Sequence, residues 1–336
     1  MSRADIAVAI LWIGATFYAL FGGADFGGGF WDLVAGWDEK GAKPRAVIRR
    51  SLTPVWEANH VWLIFLLVVL WTAFGGAFSA IFTTLYVPLA LAALGIVLRG
   101  AGFAFGKSIE GLRERRLAGA TFALSSVITP FFMGTVVGAI AAGNVPAAGN
   151  GEPFSSWIQP LPLLIGAMFV ASGAYLAAVF LVGDARRAGE EDMEHYFRLR
   201  ALAAAAVAGA FAAVGLLALH SEARYVFDRL TDQGLPLLIV SALCGIALLL
   251  AMRRRAPNWV VRPLAAGAVA GVIWGWGVAQ FPYLLPTSLR IDQGAAPDAT
   301  MNVIFGVFGV AAILVLPSLG LLYALSQRDL LEHDAD

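Results

Sequence analysis

Residues 55–98 read VWEANHVWLIFLLVVLWTAFGGAFSAIFTTLYVPLALAALGIVL. After Glu57 and His60, this stretch holds no Asp, Glu, Lys, Arg or His. A helix crosses the hydrocarbon core of a bilayer with about 20 mostly apolar residues. The stretch is about twice that length and is interrupted only by Gly75-Gly76. It therefore reads as two antiparallel membrane spans, Val55–Phe74 and Phe78–Leu98, joined by a tight turn.

The same reading extends in both directions. Seven further stretches qualify: Ile6–Ala24, Gly119–Ala142, Trp157–Val182, Ala201–Leu219, Leu235–Met252, Pro263–Tyr283 and Met301–Leu325. The expectation is an all-α integral membrane protein with about nine transmembrane helices. It forms a single polytopic domain over residues 1–336, arranged as two four-helix bundles plus one peripheral helix. The residues before Ile6 lack a strongly basic segment, and no small-residue cleavage site precedes Asp25, so the first stretch reads as a retained span.

Composition agrees. Hydrophobic residues make up 59% of the 336 and charged residues 14%, against roughly 25% charged in a soluble domain. Lys+Arg and Asp+Glu balance at 23 each, which offers nothing to a nucleic acid or other polyanion. The single cysteine, Cys244, excludes an intrachain disulfide and any cysteine-based zinc or iron–sulfur cluster, and it reads as packing in an apolar run.

Orientation follows from the loops. Of the 23 basic residues, 19 fall in one set of loops and span ends, among them Lys40–Arg50, Arg113–Arg116, Arg186-Arg187 and Arg253–Arg255. The other set holds Arg3, Arg224, Arg229 and Arg290. Basic residues accumulate on the cytoplasmic side, so the expected placement is the inner (cytoplasmic) membrane, with the N-terminus outside and the C-terminus in the cytoplasm. The longest outside loops, near Gly143–Ser156 and Leu284–Thr300, are too short for a soluble domain.

Ionisable groups inside a membrane are costly and mark functional sites by default. Four occur here: Asp25 closing the first span, Glu57 and His60 in the second, and Arg99 ending the third. Depth along the helices puts Asp25 and Glu57 near the cytoplasmic face. Each acid reads either as a hydrated helix anchor or as a proton-conducting or charge-compensating group. Glu57 and His60, three residues apart, share a helix face with Trp56 nearby. Glu-x-x-His is half of a di-iron motif, but the remaining ligands are missing from the spans. His60 as a haem ligand needs a second axial group. Met133, Met168 and Met252 could serve, and the competing reading is hydrogen-bonded packing beside Glu57. The glycine run Gly22–Gly29 gives Gly23 and Gly27 the spacing of a close helix contact.

Several of these segments together resemble subunit II of the cytochrome bd-type quinol oxidases, including the cyanide-insensitive branch. They are Phe21-Gly-Gly-Ala-Asp25-Phe-Gly-Gly-Gly-Phe30, Pro54-Val-Trp56-Glu57-Ala-Asn59-His60-Val-Trp62-Leu63, Leu98-Arg99-Gly-Ala-Gly-Phe103 and Phe281-Pro-Tyr-Leu-Leu-Pro286-Thr-Ser288. They run in the family's order, and the second is the most specific. The resemblance implies a nine-span subunit paired with a larger subunit I. That partner would carry three haems, of types b and d or b alone, and the quinol-oxidation loop; a small single-span subunit is a further candidate. The complex would oxidise quinol and reduce dioxygen to water, drawing protons from the cytoplasm without pumping them. The resemblance further implies that Glu57, where several members have Asp, lies on a proton path, with Trp56, Asn59 and His60 around it. Asp25 and Arg99 would compensate charge. The family's first acid in the glycine segment is replaced here by Gly22. No cofactor, metal or quinone site is assigned to this chain itself.

Two readings from other classes compete. A secondary transporter uses broken helices around a mid-membrane site, which the glycine run and Pro286 could imitate, although these spans hold few polar residues at mid-depth. A structural subunit of an unrelated membrane complex is the third reading.

Overall fold

The computed structural model describes residues 2–36, 39–52, 56–106 and 111–327. Helices dominate. A single long helix opens the chain, α1 (Arg3–Phe17), continuing through a π-helical turn (Tyr18–Gly22) into α2 (Gly23–Ala35). Ser2 caps it, its hydroxyl accepting from the Asp5 amide at 3.1 Å. Asp25 therefore does not close the first span as expected. Ten further helical residues follow it, because the glycine run, poor in helix propensity alone, is held in a helix by packing on both sides.

The second correction concerns Gly75-Gly76. Helix α4 (Trp56–Ala73) ends at Phe74, and α5 (Gly75–Thr84) leaves it at 116°. The glycines start a helix rather than forming a turn, and the return span is α6 (Tyr86–Gly106). Arg99 thus lies within α6, not at its end.

The third correction is α3 (Glu39–Leu52), a helix where a loop was expected. It buries Val47 and Ile48 against the protein and turns Lys40, Lys43, Arg49 and Arg50 outward. Lys43 pairs with Asp192 and Arg50 with Glu190, fastening α3 to the turn between two later helices.

Those helices are α8 (Pro160–Arg187) and α9 (Glu191–Glu222), preceded by α7 (Leu112–Ala141). The chain continues through α10 (Arg224–Thr231), α11 (Leu235–Arg253) and α12 (Asn258–Gln280). A small antiparallel hairpin, β1 (Tyr283–Leu285) with β2 (Leu289–Arg290), then leads through α13 (Ile291–Gly294) to α14 (Asp298–Gln327). Eight of the nine apolar stretches fall mainly on one continuous helical segment among the described residues, and the third, Phe78–Leu98, is divided between α5 and α6. Seven helices are long and apolar enough to cross a membrane, eight if the bent α4–α5 pair is one span, while α6 is apolar but short.

Helix α8 ties the bundle together, packing on α2 and α7 on one side and α9 on the other. Residues 173–185 of α8 are almost all buried. The reason is steric. A Cβ on Gly27 would overlap the Gly173 carbonyl, and one on Gly134 would come within 2.7 Å of the Gly166 Cα, so only glycine lets these backbones meet. Helix α14 packs on α4 and α1 at the edge, its outer face a row of exposed Val303, Val307, Val310 and Ile313.

The two ends differ. At the basic end, Asp184 accepts from Arg187 and Arg262 at 2.6 Å each, and Arg186 reaches Glu194 at 2.9 Å. At the opposite end the 142–159 loop meets the hairpin, the Ala147 amide donating to the Ser288 hydroxyl at 2.6 Å.

Candidate functional site

Asp25 of α2 and Arg99 of α6 form an ion pair inside the bundle. Arg99 Nη2 lies 2.7 Å from Asp25 Oδ1, with 1% of either side chain exposed. Removing two charges from water costs several kcal/mol each, so the surroundings must hold them closely. Arg99 Nη2 also donates to the Asp25 backbone carbonyl at 3.2 Å, and Nη1 donates to the Ser126 hydroxyl of α7 at 2.7 Å. The Ser126 hydroxyl donates on to the Phe122 carbonyl at 2.7 Å. The rings of Phe26 and Phe122 flank the guanidinium at 4.8 and 4.6 Å, a planar cation between π faces. Among the described residues the Asp25 carboxylate accepts no aligned hydrogen bond, so its hold on Arg99 is chiefly electrostatic.

Glycines make this arrangement possible. The space that a Cβ on Gly29 would take is filled by Ser126, and a Cβ on Gly102 would lie 2.9 Å from the Ala118 carbonyl oxygen. Helices α2, α6 and α7 can therefore close around the pair. One turn before Asp25 comes the π-helical segment, a feature that often accompanies functional sites. Its Gly22 lies under the Tyr18 ring, where a side chain would meet the ring at 2.8 Å. The departure from the family pattern at Gly22 thus has a local partner: an aromatic ring occupies the room an acid would need. The Tyr18 hydroxyl points to the Met133 sulfur at 3.6 Å.

The other predicted residues sit on α4. Asn59 is buried, and His60 meets the Phe26 ring edge-on with centroids 5.8 Å apart. Phe26 in turn lies on Arg99, so α4 abuts the ion pair through one aromatic ring. The side chains of Trp56 and Glu57 lie outside the described residues.

Three contributors escaped the sequence reading. Ser126 looks like any hydroxyl in an apolar helix, and Phe26 and Phe122 look like core. Asp32, which lies beyond the expected first span and which the sequence did not single out, is also buried on α2. A spacing of seven from Asp25 was the available signal. Among the described residues no group of three or more His, Cys, Asp or Glu is gathered as a metal site.

Fold and site together define a polytopic helical membrane protein with a buried interhelical ion pair. Residues 3–326 match the sequence model of the cytochrome bd terminal oxidase subunit II family, and the chain belongs to that family. A Bacillus subtilis protein provisionally described as a cytochrome bd menaquinol oxidase subunit II is 23% identical, with 96% of this chain and 95% of that protein covered. The cytochrome bd-I ubiquinol oxidase subunit 2 of Escherichia coli K12 is 25% identical, with 93% and 90% covered. The fold is that of a chain in the bd oxidase structure from Geobacillus thermodenitrificans, with TM-score 0.76, 23% identity and 97% and 98% coverage. The protein is thus a subunit of a terminal oxidase, an oxidoreductase complex. The transporter and unrelated-scaffold readings are set aside.

Proposed function

We propose that this chain pairs with a haem-bearing subunit I in a quinol oxidase and helps deliver cytoplasmic protons for the reduction of dioxygen to water. In this reading the haems, b and d or b alone, reside on the partner, and a small single-span subunit can join the pair. The complex sits in the cytoplasmic membrane with this chain's N-terminus outside and its C-terminus inside. The excess of basic residues at one end supports that orientation. The menaquinol and ubiquinol in the relatives' names support a quinol as electron donor.

One observation carries the proton reading. The membrane-buried Asp25–Arg99 pair and the His60 segment of α4 adjoin through Phe26, so the segment bearing Glu57 abuts the charged pair. A buried carboxylate beside a fixed cation sets an electric field inside the bundle, and that field can bias the movement of a proton nearby. Glu57 is the proton-carrying group in this reading, Asp25 and Arg99 set the field, and Trp56, Asn59 and His60 pack around them.

The test is Glu57→Gln in the purified complex. Haem content should stay normal while oxygen reduction slows by about tenfold or more, the scale on which proton-transfer groups contribute. Unchanged turnover would reduce Glu57 to a helix-packing residue. Purification of the chain with neither a haem-bearing partner nor haem absorbance would overturn the assignment of the haems to a partner.

A further inference from the structure

The basic end of the bundle holds a cavity of about 150 Å³, lined by Glu191, Glu194, His195 and Arg198 of α9 and by Arg255 of the turn between α11 and α12. Arg186 of α8 fixes its walls, donating to the Ala256 carbonyl at 2.8 Å and to Glu194 Oε1 at 2.9 Å. Arg198, its side chain 13% exposed, lies 3.0 Å from His195 Nδ1. An arginine can only donate, so Nδ1 accepts and the ring N–H at Nε2 is a further donor. Around the cavity the three guanidiniums of Arg186, Arg198 and Arg255 outnumber the two carboxylates. Arg253 and Arg254, on the same turn, add two more positive charges, and neither they nor Arg255 makes an ion pair among the described residues.

Arg255 stands where glycine is expected. The Arg255 amide donates to the Met252 carbonyl at 3.3 Å and the Ala256 amide to the Ala251 carbonyl at 2.9 Å. These paired bonds close a helix through one left-handed residue. That residue is Arg255, with φ of 53°, a conformation that glycine adopts freely and arginine does not. An arginine that only kept this end in the cytoplasm could stand anywhere in the turn. This one stands at the unfavourable position and lines the cavity. Apolar side chains adjoin it on the outside: Leu199 follows Arg198 on α9, Leu250 lies in the last turn of α11, and Trp259 in the first turn of α12 is 78% exposed.

We propose that this cavity seats the phosphate of an acidic phospholipid headgroup, with Arg198, Arg255 and His195 as donors and the acyl chains lying against Leu199 and Leu250. Charge complementarity selects this occupant. The surplus of guanidiniums attracts a phosphate diester, whereas a zwitterionic lipid would bring a cation of its own among them. A metal ion does not fit, since the acids and His195 are not gathered as a ligand set among the described residues. The proposal goes beyond proton delivery and does not depend on it.

The test uses the purified, delipidated complex in neutral detergent, titrated with phosphatidylglycerol, with phosphatidylcholine or with inorganic phosphate. Thermal melting and native mass spectrometry report binding. Arg255→Gly relaxes the left-handed turn, so without lipid it should melt no lower than the parent, while its apparent affinity for phosphatidylglycerol falls by about tenfold, the scale of one charge-assisted hydrogen bond. Arg198→Gln leaves the turn untouched and should show the same loss, and it decides the matter if the Gly variant assembles poorly. Phosphatidylcholine should raise the melting temperature of the parent less than phosphatidylglycerol does. Three results overturn the proposal. In the first, Arg198→Gln or a well-assembled Arg255→Gly binds phosphatidylglycerol within about twofold of the parent. In the second, phosphatidylcholine stabilises the parent equally, which makes the effect one of acyl chains alone. In the third, inorganic phosphate without lipid stabilises it equally, which makes the cavity a site for free anions.

Discussion

Asp25 and Arg99, 74 residues apart in sequence, meet at 2.7 Å in the interior with almost no exposure of either side chain. Each depends on the other, since the low-polarity surroundings that strengthen their attraction also penalise either charge left alone.

That dependence predicts a specific pattern of variants. Arg99→Leu or Asp25→Leu alone leaves one buried charge unpaired and should cost about 3–5 kcal/mol. Assembly should fall more than turnover per assembled complex. The double Leu variant should regain part of the loss, since it buries no charge. Complex yield and thermal melting of the haem-loaded form measure this, and additive losses would show that the two residues act independently.

Ser126→Ala removes the acceptor of Arg99 Nη1 and leaves a buried charged donor unmet. A loss of about 1–3 kcal/mol is expected. Ser125→Ala, one residue away, should cost less, because the Ser125 hydroxyl bonds only the Phe122 carbonyl of its own helix. Equal losses from both variants would argue against the Arg99 contact as the cause.

Gly27→Ala should disrupt the bundle by about 1–3 kcal/mol or more, since the new methyl has nowhere to go but the Gly173 backbone. Gly209→Ala and Gly245→Ala provide the contrast. Nothing lies within 4 Å of a Cβ there, and alanine should be neutral or stabilising by up to about 1 kcal/mol in a helix. Comparing melting temperatures of the three variants decides the point.

Asp184→Asn should loosen the basic end, because one carboxylate oxygen receives both Arg187 and Arg262. Asp298→Ala should change little, about 0–1 kcal/mol, since its pair with Arg3 is mostly solvent-exposed. Protease sensitivity of the α8–α9 turn would reveal the first effect; equal sensitivity in both variants would refute the ranking.

The order of the amino acids is enough to establish a helical membrane protein with a succession of long apolar helices. Transfer of a side chain from water to lipid is a property of each residue, and about 20 such transfers add up along one helix. The same additive logic covers the excess of basic residues at one end and the four family-like segments. Tertiary structure decided the rest. Gly75-Gly76 reads as a turn, and only packing shows that the chain bends at Phe74 and that those glycines open α5. Arg99 and Asp25 were each visible as costly residues, but their pairing depends on helix rotation and on how closely α2, α6 and α7 approach. Those distances are set by backbone contacts at Gly27, Gly29 and Gly102, which no hydropathy value records. Asp32 shows the limit most clearly. A carboxylate beyond an apolar run reads as solvent-facing, and it is buried here because the glycine run stays helical and α3 folds back across its end.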